Sequence, residues 1–494
     1  MLVKWVRYFC LNIMAVLTLY GWINRQYSCI FLGIIFLLIN NILFCVERLE
    51  ERMFFLLFQI MFFVFLLAKP LILIVSSNKL WYMVQDSEKG IHFALMAMFL
   101  SLLSMNVGAI LYEQYKRRGE KKGQKCVVLK VNSVQKEMKN ESMILAVQNI
   151  SLLFFVVALV FSFVVSYEKI TMMQGRSYLD YYTSYQSNLP ALIHRLASMM
   201  KYALCSFLAT YPNKKKSFIP LCLYVVSAIP DLYIGIRNPF VLNCLFVFVY
   251  YLIREYKYIG KKESWFGKKE KIISVVAIPV LIIAMCLYSD IRMDRDIKFS
   301  SIGDTFRRFF IEQGVSFDVL LIGYRTIDKL PVRDFRNYTF GGIIDYFLHG
   351  TIGQKIFGTY PLPNGNNIVN ALESNRFAHN MSYVALGDEY LAGRGWGSSY
   401  LLELYTDYGY LGIIVFSLIL GAFFVAVYSL LSKNLISRIS VLMILTNIFF
   451  MPRGEATSCL EFLVSIQFWA YVGLEYFISS LFIKSYQKRR NGDV

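Results

Sequence analysis

The sequence predicts an all-α polytopic membrane protein, with about twelve transmembrane helices and one large external loop. Three observations carry this prediction. Hydrophobic residues make up 57% of the 494 and charged residues only 17%, and the mean hydropathy is +0.49; a soluble globular chain of this length is far more polar. Apolar runs recur at the roughly 20 residues that a helix needs to cross a bilayer. Basic clusters fall in every second loop, as expected when cytoplasmic loops retain Lys and Arg.

The runs in order are 6–22, 28–46, 53–77, 92–113, 143–167, 191–210, 218–235, 239–253, 272–289, 408–431, 439–451 and 462–483. They are solid rather than alternating, so they read as helices and not as barrel strands. Lys4 and Arg7 stand at the start of the first run, and no small-residue cleavage site follows Tyr20, so that run reads as a retained span. Basic residues gather at Arg48/Arg52, in 114–142 (nine Lys/Arg), at Lys214 to Lys216, in 254–271 (seven), at Lys433/Arg438 and in the tail Lys484 to Arg490. The alternation places both termini in the cytoplasm. It also explains the net charge of +18 by contact with anionic lipid headgroups, and no nucleic-acid partner is expected. The segments left outside are 23–27, 78–91, 168–190, the turn at Arg237, 290–398 and 452–461.

This divides the chain into spans one to nine (1–289), the large external loop (290–398), and spans ten to twelve with the tail (399–494). No internal repeat of the kind found in inverted-repeat transporters is visible. Within the loop, 302–327 and 340–357 read as amphipathic helices lying at headgroup depth. TYPLPNGNNI reads as turn. Gly393, Gly395 and Gly397 make a flexible turn. Ser398 and Ser399 are placed to cap a helix from Tyr400 that runs through Gly409 into the tenth span.

The loop holds nine arginines against three lysines. A solvated surface does not require that bias, whereas oxygen anions do, because the guanidinium fork makes paired bonds to them. Arg307, Arg308, Arg376 and Arg394 are therefore anion-binding candidates, in company with Arg292, Arg295, Arg325, Arg333 and Arg336. Arg237, in IGIRNPF, sits between two short spans where a charge is costly unless it is paired or faces a polar cavity; Pro239 makes that junction a tight turn. Arg453 and Glu455 lie at a Pro/Gly-broken helix end. His379, beside Arg376, and the carboxylates Asp388, Glu389, Glu403 and Asp407 could take or hold a proton. Glu403 and Asp407 share a helix face, which is unfavourable without a basic group between them. Cysteine and histidine spacing gives no metal-site motif, and no cysteine lies in the loop.

With these residues in view the chain resembles the Wzy-type O-antigen and capsular repeat-unit polymerases, in the group that also holds the O-antigen ligases. The likeness rests on the twelve-span plan, the late external loop, the IRNP turn at Arg237 and the segment GRGWGSSYLLELYTDYGYLG. It implies a GT-C-like glycosyltransferase architecture in a bacterial cell membrane, with no cofactor or metal. The implied substrate is an oligosaccharide carried on undecaprenyl diphosphate, and a chain-length regulator is the implied protein partner. The implied reaction is inverting: arginines (Arg237, Arg307, Arg308, Arg376, Arg394, Arg453) hold the diphosphate, and one of His379, Glu389 or Glu403 activates the acceptor. Tyr360, Tyr383, Tyr390, Tyr400 and Tyr405 could stack on sugars. The rival readings are an O-antigen ligase, a polysaccharide flippase or exporter (which would have short loops), and a sensor or scaffold.

Overall fold

The structure is a computed structural model that describes residues 2–77, 88–123, 134–257, 264–292, 301–334 and 336–492. Cys126, Arg295, most of 78–91 and parts of the basic loops 114–142 and 254–271 lie outside the described residues. Every regular element among them is a helix, and the protein is an all-α polytopic membrane protein. Among the described residues, ten helices are long and apolar enough to cross a bilayer: Leu2–Ile23, Tyr27–Val46, Leu49–Ser77, Glu88–Gly119, Glu141–Met173, Asn238–Tyr256, Lys268–Asp290, Tyr400–Leu431, Leu435–Arg453 and Ile466–Ser485. The other two runs read as spans take different forms. Ala191–Ala209 is a continuous helix of 19 residues, but His194, Arg195 and Lys201 lower its apolarity. The seventh run is interrupted, as Lys214–Val226 followed by the five-residue Ile229–Tyr233.

The chain forms two compact units. The first comprises 1–117, 268–428 and 448–458; the second comprises 118–267, 429–447 and 459–494.

In the first unit, glycines set the closest helix contacts. A Cβ on Gly108 would strike the backbone of Leu418, and one on Gly421 would strike the backbone of Met105. These reciprocal small positions let the Glu88–Gly123 and Tyr400–Leu431 helices touch main chain to main chain, the usual device where helices cannot rely on hydrophobic exclusion for packing. Beside them, Ser101 Oγ bonds Tyr400 Oη (2.6 Å) and Ser417 Oγ (2.9 Å). Charges at the span ends are paired. Arg52 meets Glu113 through two nitrogens (2.5 and 2.8 Å), and Arg7 meets Glu47 at 2.8 Å. Pro70 has no N–H for the carbonyl one turn earlier, at Leu66; the chain accommodates this with a π-helical turn over Phe63–Leu67.

The 302–327 stretch is two helices rather than one, Ile302–Gln313 and Val315–Thr326, divided at Gly314. Gly314 is where the backbone approaches Lys69 too closely to admit a Cβ. Lys69 pairs with Asp318 of the second helix, both largely buried. The 340–357 stretch divides likewise at Gly350, into Gly341–His349 and Thr351–Phe357. The helix from Tyr400 does not run straight through Gly409. That residue takes φ 64° and ψ −158°, a region open essentially to glycine alone, so two helical pieces meet there at an angle a regular helix does not allow.

In the second unit the long Val134–Met173 helix packs along Ala191–Ala209. The helix Asn238–Lys257 begins immediately after Arg237, with Pro239 in its first turn, where a missing N–H costs nothing.

Candidate functional site

The insert of the first unit builds one dense polar cluster around the start of helix Phe377–Leu386. Asp345 is its first anchor. Its carboxylate accepts from Ser374 Oγ (2.8 Å), Asn375 N (3.0 Å) and Asn375 Nδ2 (2.8 Å). This fixes the turn just before Arg376, and Gly341 allows the Asn375 backbone to come against it, where a side chain would not fit. Asn380 is the second anchor and is fully buried. Its Oδ1 accepts from Arg336 Nη1 (2.7 Å) and Tyr338 Oη (3.0 Å), and its Nδ2 reaches the carbonyls of Asn370, Ala371 and Ser374. Both anchors satisfy buried polar groups, which is the condition for such a network to be stable.

On that frame stand Arg376 and His379, one turn apart on the same helix end, with His379 N bonded to Arg376 O (3.2 Å). Arg376 is ion-paired with Glu455. Arg453 donates to Gln313 Oε1 at 3.0 Å. His379 Nδ1 lies 2.9 Å from Tyr390 Oη. Burial, with Arg376 adding to it, holds the imidazole below its ordinary pKa, so the neutral ring is favoured. Tyr390 is pushed up to about 12 by burial and keeps its proton. Its hydroxyl can donate to Asn367 O (3.5 Å) and accept Nδ1–H, which leaves the Nε2 lone pair for another proton.

Glu403 is wholly buried. Ser398 Oγ donates to one oxygen (2.6 Å) and Ala456 N to the other (2.8 Å). Ser398 thus bonds a side chain rather than capping the helix, and Ser399 Oγ meets no partner among the described residues. Asp407 is satisfied separately by Tyr338 N (3.1 Å), Thr339 N (2.6 Å) and Thr339 Oγ1 (2.6 Å). The two carboxylates of one helix face are therefore accommodated by uncharged donors, with no cation needed between them.

Glu389 and Arg394 pair with each other at 2.9 Å and are both more than half exposed. Arg308 pairs with Asp290 at 2.8 Å, and Arg307 is exposed on the same helix. Arg237 belongs to the second unit and is half-buried. The anchors Asp345, Asn380 and Tyr390 were not singled out from sequence as holding the site. An isolated Asp or Asn carries no such signal, because their partners lie 6 to 44 positions away.

No curated protein and no solved structure matches the chain. The family model described as O-antigen polysaccharide polymerase Wzy matches residues 6–486. The chain, a multi-pass bacterial membrane protein, belongs to the family of Wzy O-antigen polysaccharide polymerases.

Proposed function

We propose that this polymerase joins oligosaccharide units carried on undecaprenyl diphosphate, on the outer face of the membrane, by inverting and metal-independent transfer. The 290–398 insert is the external loop, and both termini are cytoplasmic. The observation that carries the reading is the Arg376–His379 pair, a cation and a neutral base side by side on a rigid helix end.

The step is a displacement. A hydroxyl of the incoming unit attacks the anomeric carbon of the growing chain, and the new C–O bond forms as the bond to the diphosphate breaks. The electron pair leaves with the diphosphate, and the hydroxyl proton passes to His379 Nε2. Fixed cations offset the charge that develops on the leaving group. Arg376, aimed by Glu455, and Arg453 serve this role, with Arg307, Arg308 and Arg394 as the further cations of the insert. Among the three acceptor-activating candidates, His379 is favoured. Glu403 is sealed by two hydrogen bonds and has no exposed surface, and Glu389 is already matched by Arg394.

The test is purified protein in detergent with a defined lipid-diphosphate oligosaccharide and a chelator. Wild type gives a product ladder; His379→Gln and Arg376→Ala lose it by at least about a hundredfold, in the range usual for a general base. A normal ladder from His379→Gln removes His379 from this role.

A further inference from the structure

The second unit carries a group of tyrosines that the polymerase chemistry above does not use. Residues 177–187 leave the Val134–Met173 helix as SYLDYYTSYQS. Ser177 and Asp180 form a reciprocal cap, with Ser177 N to Asp180 Oδ2 at 2.7 Å and Asp180 N to Ser177 Oγ at 3.3 Å, and start the short helix Tyr178–Thr183. Tyr181 and Tyr185 stack with centroids 5.3 Å apart and planes 19° from parallel. Tyr182 lies edge-on to both Tyr178 and Tyr181. All four rings are partly exposed.

The group is held rigidly. Glu168 accepts from Asn188 N (2.7 Å), Leu189 N (3.2 Å), Tyr185 Oη (3.2 Å) and Ser187 Oγ, and Ser187 Oγ in turn lies 2.7 Å from His194 Nε2. The group is also fixed to the Arg237 turn. The ring of Tyr178 occupies the space a Cβ on Gly235 would need, and Gly235 sits at φ 105°. Lys169 bonds Asp231 at 3.3 Å, and Ile236 N bonds Asp231 O at 2.8 Å. One ring of a preorganised tyrosine group, that of Tyr178, therefore packs two residues from the half-buried Arg237.

We propose that this is a glycan subsite, in which the rings of Tyr181 and Tyr185 stack on a sugar and Arg237 meets the diphosphate attached to it. The chemistry suits a glycosyl diphosphate: C–H bonds on one face of a pyranose match the negative π face of tyrosine, and guanidinium matches phosphate oxygens. An interfacial belt, the other common use of tyrosine in membranes, needs neither the Glu168 scaffold nor the glycine that seats Tyr178. The diphosphate half of the assignment rests on the proposed function; the sugar half does not.

The experiment uses the full chain in detergent. The probe is the lipid-free repeat-unit oligosaccharide released from the producing cell's lipid-linked intermediates, with and without its reducing-end diphosphate. Wild type binds both forms, the diphosphate form more tightly. Tyr181→Leu/Tyr185→Leu, which keeps apolar bulk for a membrane interface, weakens both at least about tenfold, as expected for loss of about 1.4 kcal/mol of ring contact. Tyr181→Phe binds as wild type, and Arg237→Gln loses only the preference for the diphosphate form. Binding by the double leucine variant equal to wild type overturns the subsite. Should that variant not be recovered folded, Tyr181→Trp replaces it: a saturable change in its fluorescence on adding the oligosaccharide supports the subsite, and no change overturns it. Polymer synthesis by wild type is scored separately, so a protein that binds through these tyrosines but makes no ladder refutes the proposed function and leaves the sugar subsite standing.

Discussion

Gly409→Ala separates two physical expectations by sign. Gly409 lies inside the Tyr400–Leu431 helical stretch, where replacing glycine by alanine normally stabilises by about 1 kcal/mol. Its backbone, however, has φ 64° and ψ −158°, a conformation that costs a non-glycine residue on the order of 1–3 kcal/mol. No atom lies within 4 Å of where its Cβ would sit, so crowding contributes nothing and the backbone alone decides. Alanine also restricts the unfolded chain, offsetting about 0.4–1 kcal/mol; the net expectation is destabilisation by ~1–2 kcal/mol. Thermal unfolding in one detergent, followed by tryptophan emission, is the assay. Gly119→Ala is the control, because Gly119 sits in helix Glu88–Gly123 with open space around its Cβ position and no left-handed backbone; it should raise the midpoint while Gly409→Ala lowers it. A midpoint for Gly409→Ala at or above wild type refutes the break in the helix.

Three further outcomes follow from the same geometry. Lys69→Met leaves Asp318 buried without its cation, and since burial already pushes that carboxyl up against the pull of Lys69, stability should fall by about 3–5 kcal/mol; restoring neutrality with Asp318→Asn in the same chain should recover part of the loss in a denaturation series. Asn380→Leu strips partners from Arg336 and Tyr338 and should cost on the order of 3 kcal/mol, read as faster proteolysis within the insert than in the spans. The pH dependence has a definite sign at His379, whose folded pKa lies below its ordinary 6.5: between the two values the unfolded chain binds the extra proton, so its contribution is full above about pH 6.5 and is lost as pH falls towards the folded pKa. His379→Gln should flatten that part of the stability curve, measured from pH 7.5 down to pH 5.

The spans were legible because apolar length is a local property. The insert's helices were legible as amphipathic stretches, and their breaks at Gly314 and Gly350 coincide with glycines visible in the sequence. The site was legible only in its charged members. Arg376 and Glu455 are 79 positions apart, so their pairing leaves no local trace. Glu403 and Asp407 were seen to share a face, but their satisfaction comes from backbone amides of Ala456, Tyr338 and Thr339, and any residue type can offer those. The runs 191–210 and 218–235, both read as spans, show where apolar length alone is an incomplete guide: His194, Arg195 and Lys201 pull down the average of the first, a helix of 19 residues, and the second is divided after Val226.

The bonds from Tyr338 and Thr339 to Asp407, and from Ser398 to Glu403, fasten both ends of the intervening chain to the first two turns of a single helix. The 58-odd residues between them form a loop whose ends are already brought together, and lengthening such a loop costs only about 0.6 kcal/mol per doubling. That makes 340–397 an exchangeable cassette. Its length and its contents away from Asp345, Arg376, His379 and Asn380 could be rewritten during evolution, or by grafting from another polymerase, while the helix of Glu403 and Asp407 keeps its place, so long as Thr339, Ser398, Glu403 and Asp407 are retained at the neck.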